Sequence, residues 1–328
     1  MKKSALFSSI ALSVFLVGCG GDFGTTNEPS TSNESSGDGL ETNIVTIATG
    51  GASGPYNILG TTMGEIYSTE FGINSRTQTT GASVENLNLM SQEKIEMAFV
   101  MSDALSQAIN AEESFKEPIE NVSQIANLYP NVVQIIAKKD SGIETIEDLV
   151  GKRVAVGDQN SGVELNARAL LNGHGITYDD IQVDYLGYAE AADGLNAGTI
   201  DAAFLTSGLP NASVLELSET TGITLVSIES ENVEEIAKEH PYFISYEIPA
   251  GTYGNEEPIK TAAVPNALVV RNDLSEDDVY KLTKAFFENL DKLANSHQAA
   301  KEITLEKAQE GLIAPLHPGA QRYYDEQK

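Results

Sequence analysis

Apolar positions along this chain switch repeatedly between two periods. A short β-prone run passes into Gly, Ser and Thr, then into apolar residues at helical spacing, and the unit recurs. The clearest case is 152–173. Val154-Ala155-Val156 predicts a buried strand, and Gly157-Asp158-Gln159-Asn160 predicts a turn. Val163, Ala167, Leu170 and Leu171 then form the inner stripe of a helix that Gly173 stops. Ser161 and Glu164 have capping-box spacing, so this helix is expected to begin at Ser161-Gly162. Its first amides lack intrahelical partners and carry the positive end of the helix dipole, which suits a carboxylate or phosphate. An ordinary helix cap would use the same residues.

The pattern continues on both sides. Residues 44–48 read as a strand, and TGGASGPY at 49–56 leads into a helix with Pro55 in its first turn and Leu59, Met63 and Ile66 inside. Residues 76–87 repeat the arrangement. A strand at 97–100 runs through Met101-Ser102-Asp103 into a helix from about Ala104. Strands are expected at 132–137, 183–186 and 202–205, the second followed by a helix over 189–197 that Gly198 ends and the third by Thr206-Ser207-Gly208-Leu209-Pro210. Further strands are expected at 226–228, 243–248, 259–264 and 267–270. Ser275 should cap one long helix with Val279, Leu282, Phe286, Leu290 and Leu293 on a single stripe, and His317-Pro318 should open a last helix carrying Tyr323 and Tyr324.

Alternating strands and helices imply an α/β fold with parallel sheets, in which ligands sit beyond the carboxyl ends of the strands. Five junctions lie at that end: 49–56, 79–86, 101–103, 157–164 and 206–210. None contains Lys, Arg or His, so recognition falls to amides, dipoles and hydroxyls. Candidate ligand contacts are Gly51, Ser53, Gly54, Tyr56, Ser83, Asn86, Met101, Ser102, Asp103, Tyr129, Asp158, Ser161, Gly162, Glu164, Thr206, Ser207 and Gly208. A ligand carboxylate would meet the amides around Ser161-Gly162 and the Ser83 hydroxyl. An ammonium group would need Asp103, Asp158 or Glu164, each of which equally suits helix capping. Tyr56 and Tyr129 would lay a ring on the ligand or pack at the core or hinge.

A chain of 328 residues exceeds one compact core and suggests two lobes with a cleft. It opens with MKKSALFSSIALSVFLVGC, a basic start and an apolar run that read as an export signal over 1–18. The ending at Cys19, the only cysteine, resembles the bacterial lipoprotein box, in which the thiol is acylated and anchors the protein to the bilayer. Residues 19–43 are expected to be the lipidated cysteine and a disordered Gly/Ser/Thr/Asn tether reaching roughly 25–30 Å. No later apolar run approaches the ~20 residues of a membrane-spanning helix.

The formal charge is −28, which argues against nucleic acid as a partner and reads as a solvated acidic surface. A secreted hydrolase using Ser161 or Ser83 is the rival from another class. Its base is hard to supply, because His174, His240, His297 and His317 all lie outside the five junctions and neither G-x-S-x-G nor H-E-x-x-H occurs.

Beyond this reading, Thr49-Gly50-Gly51-Ala52-Ser53-Gly54-Pro55-Tyr56, Thr80-Gly81-Ala82-Ser83-Val84-Glu85-Asn86-Leu87, Leu128-Tyr129-Pro130, 157–168, Ile248-Pro249-Ala250-Gly251-Thr252-Tyr253 and 317–324 resemble the TAXI-type solute receptors of tripartite ATP-independent periplasmic (TRAP) transporters. The resemblance spans about 44–328. It implies a type II periplasmic-binding-protein fold with a hinge and an interlobe cleft, one lobe from 44–129 plus 272–328 and the other from 130–271. It also implies a non-enzymatic, extracytoplasmic receptor without metal or cofactor. Such a receptor closes on a small anionic solute (glutamate, glutamine or a dicarboxylate such as 2-oxoglutarate) and hands it to a membrane permease. Coupling to a sensor instead of a permease is the alternative within the fold. Met101 stands where the family commonly has Gln, and Asn57 where a second aromatic is frequent.

Overall fold

A computed structural model describes residues 39–328. The expected signal peptide, the acylation of Cys19 and the tether up to residue 38 lie outside the described residues. The first half comprises β1 (Ile44–Ala48), α1 (Pro55–Phe71), β2 (Asn74–Gln78), α2 (Ser83–Ser91), β3 (Met97–Met101), α3 (Ser102–Asn110), β4 (Val122–Lys138), β5 (Arg153–Ala155), α4 (Gly162–Gly173) and β6 (Gln182–Asp184). The second comprises α5 (Tyr188–Ala197), β7 (Ala202–Ser207), α6 (Ala212–Thr220), β8 (Ile223–Val226), α7 (Ser230–Ile236), β9 (Ile244–Ile248), β10 (Ile259–Arg271), α8 (Glu276–Glu288), α9 (Leu290–Ser296) and α10 (Pro318–Glu326).

The strands run in the order β2-β1-β3-β10-β4-β7-β5-β6, with β8 on β4 and β9 on β10. Pairing is parallel where helices connect the strands (β1 with β2 and β3, β5 with β6 and β7), as alternation predicts. The sheet as a whole is nonetheless mixed, where parallel sheets were expected. β10 is antiparallel to β3, β4 and β9, and β4 is antiparallel to β7 and β8. These two long strands carry the chain between lobes and serve both halves of the sheet.

β4 has 17 residues and β10 has 13, where shorter separate strands were expected. Pro130 faces Pro265 in their register, and the ladder slips between Pro265 and Ala267. Neither proline can donate to a ladder, so the two lost donors coincide with one irregularity.

Hydrophobic clusters cover both sheet faces on either side of this crossing. One packs Val45, Met63, Phe99, Leu282, Phe286 and Tyr324, and a second packs Leu87, Met90, Val100 and Leu105. Beyond the prolines, Val133, Leu170, Leu171 and Phe204 form a third, and Ile136, Leu195, Val214 and Tyr253 a fourth. Each such side chain, fully buried, contributes about 1.5–3 kcal/mol.

Several boundaries differ from expectation. α3 begins at Ser102, two residues early. The long C-terminal helix is two helices, because Asn289 ends α8 with φ −114°, ψ 21° and its amide donates to Ala285 O and Glu70 Oε1. Ser275 caps α8 as expected, its Oγ accepting from Asp278 N at 3.1 Å. Residues 39–43, expected within the tether, run against this helix: Glu41 N and Thr42 N donate to the buried Asp278 carboxylate at 2.7 and 2.9 Å. His317 caps α10, and Gly319 lies so close to the α8 backbone at Glu276 and Tyr280 that no side chain fits there.

Candidate ligand cleft

Four helix N-termini meet at one cavity. Gly54-Pro55-Tyr56 opens α1, Gly81-Ala82 precedes α2, Ser161 and Val163 open α4, and Gly187-Tyr188 opens α5. Met101, Asn131, Thr206 and Ser207, from the ends or middles of strands, complete the wall with Gly50, Gly51 and Asp158. About 500 Å³ of space lies between these walls, open mouth included. No Lys, Arg or His lines it.

Ser161 is the N-cap of α4. Its Oγ accepts from Glu164 N at 3.1 Å, leaving the Gly162 and Val163 amides as unclaimed first-turn donors. Only half of the expected capping box forms. The Glu164 carboxylate turns away to Tyr178 OH at 2.8 Å and to Arg168, so Glu164 does not reach the cavity. Gly162 packs against Met101 Cε and lies where a Cβ would sit 3.0 Å from Ser83 Oγ. Ser83 accepts from Met101 N at 3.0 Å. Ser83 Oγ thus fastens β3 to α2 as an acceptor, beside the cavity wall.

Ala82 has φ 77°, ψ −140°, a conformation that favours glycine. This strain, of order 1–3 kcal/mol, sits in the cavity wall. Asn86 lies behind it and ties two loops to β3: its amide donates to Thr49 O at 2.6 Å and Phe99 O at 2.8 Å, and its oxygen accepts from Thr80 Oγ1 at 2.6 Å.

Tyr56 lines the cavity, stacks on Phe99 with ring centroids 5.1 Å apart, and donates its hydroxyl to Asn266 Oδ1. Burial, with Tyr129 and Tyr188 nearby, pushes this phenol well above its ordinary range, so it stays neutral. Tyr129 is wedged against Gly208, where a Cβ would clash with its ring, and its buried hydroxyl has no partner among the described residues. Of the two readings weighed for the tyrosines, wall contact fits Tyr56 and packing fits Tyr129 and Gly208.

The three candidate acids separate. Asp103 is 1% exposed and joins α3 to α4, accepting from Ala104 N at 2.7 Å and from Asn166 Nδ2 at 2.5 Å. Burial raises its carboxyl to about 7. Ser102 is likewise buried, with an unpartnered Oγ, and does not line the cavity. Asp158 does line it, half-buried, and its carboxyl is raised by burial and by Glu190 and Glu85.

Of the expected residues, Gly51, Gly54, Tyr56, Met101, Asp158, Ser161, Thr206 and Ser207 line the cavity; Ser53, Ser83, Asn86, Ser102, Asp103, Tyr129, Gly162, Glu164 and Gly208 stand beside or behind it. Gly50, Pro55, Gly81, Ala82 and Val163 also line it from within the expected junctions, whereas Tyr188, Gly187 and Asn131 lie outside all five of them. Tyr188 donates to Thr206 O at 2.6 Å and its ring faces Gly54 across the cleft. Leu186-Gly187-Tyr188 is a sixth strand-to-helix junction, with a single Gly as its signal. Asn131 sits within β4, where no loop marks it.

The lobes touch across this cleft. Glu85 N donates to Asn160 O at 3.2 Å, and Arg168 pairs with Glu113 at 3.1 Å. Two α/β lobes joined by two crossing strands around such a cleft define the periplasmic-binding-protein fold. Solved structures with this fold include the alkanesulfonate-binding protein SsuA of Xanthomonas axonopodis pv. citri bound to MOPS (14% identity, 87% of this chain and 84% of that one, TM-score 0.50). PhnD1 of Prochlorococcus marinus in complex with methylphosphonate is also similar (13% identity, 79% and 91% covered, TM-score 0.55). A further periplasmic transporter structure matches at 14% identity, 86% and 94% covered, with TM-score 0.53. The chain itself belongs to the NMT1-like family, whose model matches residues 47–327.

Proposed function

We propose that this protein is an extracytoplasmic solute receptor. It captures a small glutamate- or glutamine-like carboxylate between its two lobes (44–129 with 272–328, and 130–271), and delivers it to the permease of a TAXI-type TRAP transporter. The observation that carries this reading is the convergence of four helix N-termini from both lobes on one cavity whose wall holds no basic side chain. The start of α4 at Val163 then receives the ligand carboxylate, with Ser161 holding the helix end in place and Thr206 and Ser207 in the same wall. The order and spacing of the Gly/Ser junctions support assignment to the TAXI type. Acylation at Cys19 would keep the receptor beside its permease, since no helix among the described residues is long and apolar enough to cross a membrane.

Capture proceeds by closure. β4 and β10 connect the lobes, and a solute touching both lobes favours the closed arrangement by its differential contacts. A thermal-shift screen of amino acids and dicarboxylates on the chain from residue 20 onward tests the reading. A true ligand at 100 times its Kd adds about 2.7 kcal/mol of stability. A screen in which no small solute raises Tm contradicts it.

A further inference from the structure

Asp158 and Glu190 converge on the open side of Gly187. A Cβ built on that glycine would lie 2.9 Å from Asp158 Oδ2 and 2.7 Å from Glu190 Oε2. Neither carboxylate has a hydrogen-bonded or cationic partner among the described residues, although the chain's other interlobe acids do: Glu113 pairs with Arg168, and Asp103 with Asn166. Glu85 approaches from the opposite lobe, its Oε2 accepting from Gly81 N at 2.6 Å, and Gly81 lies 4.0 Å from Asp158 Cβ by the same construction.

Three like charges gathered without a counterion repel one another, and each favours a cation brought among them. No group of three His, Cys, Asp or Glu among the described residues has metal-holding geometry. An independent feature marks the same cavity as made for a polar ligand. Thr206, 1% exposed, lines it with a buried hydroxyl that has no partner. Tyr188 lines the cavity beside Asp158, at the start of the helix that carries Glu190.

We propose that Asp158 and Glu190 form a cation subsite at the mouth of the cleft that takes the protonated amine of the solute, so that acids lacking an amine are rejected. This rests on the receptor reading above and narrows it. The amine meets the two carboxylates while the ligand carboxylate meets the start of α4, and 2-oxoglutarate, with a keto oxygen in place of the amine, leaves the acids unpaired and repelled. The groups facing Asp158 are Glu190 and Tyr188 on α5 and Glu85 on α2, all anionic or neutral. Protonation of Asp158 at acid pH therefore weakens amine binding.

The test is calorimetric titration of the chain from residue 20 onward with L-glutamine, L-glutamate, 2-oxoglutarate and glutarate, preceded by a thermal-shift screen of a wider metabolite panel. Hits are expected to carry an amine, and Asp158→Asn should weaken their binding tenfold or more. Glu190→Gln, at an exposed position, should weaken it severalfold and serves as the second variant should Asp158→Asn fold poorly by circular dichroism. Tight binding of amine-free acids, or unchanged affinity for the amine-bearing hits in both variants, overturns the cation subsite and leaves the receptor standing. An absence of any hit across the panel overturns the receptor reading, and this inference with it.

Discussion

Two aspartates at the boundary between the lobes have opposite surroundings. Asp103, in the seam between α3 and α4, is sealed from solvent and satisfied by the Ala104 amide and the Asn166 carboxamide. Asp158, at the cleft, is half exposed and has only like charges for neighbours. A carboxylate with donors on both oxygens braces the fold, whereas one left among anions favours a proton or a cation brought beside it. The seam ties α3 to α4, and the cleft holds the acids left without partners among the described residues.

The largest expected effect lies on the cleft side. Ser161→Trp fills the cavity at the start of α4 and should lower affinity for any ligand found in the screen more than 100-fold. Loss of the cap should cost only about 1 kcal/mol of stability. Calorimetry with circular dichroism separates the two, and an intact affinity would remove this helix end from the site.

On the seam side, Asp103→Asn sharpens the contrast. With its carboxyl raised to about 7 when folded, Asp103 binds a proton more readily in the folded than in the unfolded chain. Its contribution to stability is therefore full below about pH 4 and is lost as pH rises towards 7. The variant keeps a neutral group at every pH, and a turned Asn166 can still meet it. Its Tm relative to the native chain should rise with pH, by the equivalent of on the order of 2–4 kcal/mol at pH 8, with little change at pH 4. A parallel pair of Tm-against-pH curves would contradict the assignment.

A smaller effect is expected at Ala82. Replacing it by Gly relieves the strained φ of 77° and should stabilise the chain by about 1 kcal/mol in denaturant unfolding. A destabilised Ala82→Gly would mean that the methyl packing against Gly50 outweighs the strain.

The same contrast explains what could be read from the residues alone. The cleft was legible because Gly, Ser and Thr recur where strands pass into helices, and residues of 49–56, 79–86, 157–164 and 206–210 line one cavity. The roles within it were less visible. Ser83, Asn86 and Asp103 look like Ser161 and Asp158 in composition, and only packing turns the first three inward as braces. The crossing strands were hidden by Pro130, Asn131 and Pro265, residues that ordinarily argue against a strand and are accommodated here because the two prolines face each other. Asn289 was hidden for the converse reason, since the stripe of Leu and Phe continues across the break that it caps.

Small-angle X-ray scattering of the chain from residue 20 onward, with and without the solute that most raises its Tm, tests the central claim directly. Closure of one lobe onto the other about β4 and β10 should shrink the radius of gyration at saturation. A scattering profile unchanged by a saturating ligand would contradict capture by closure.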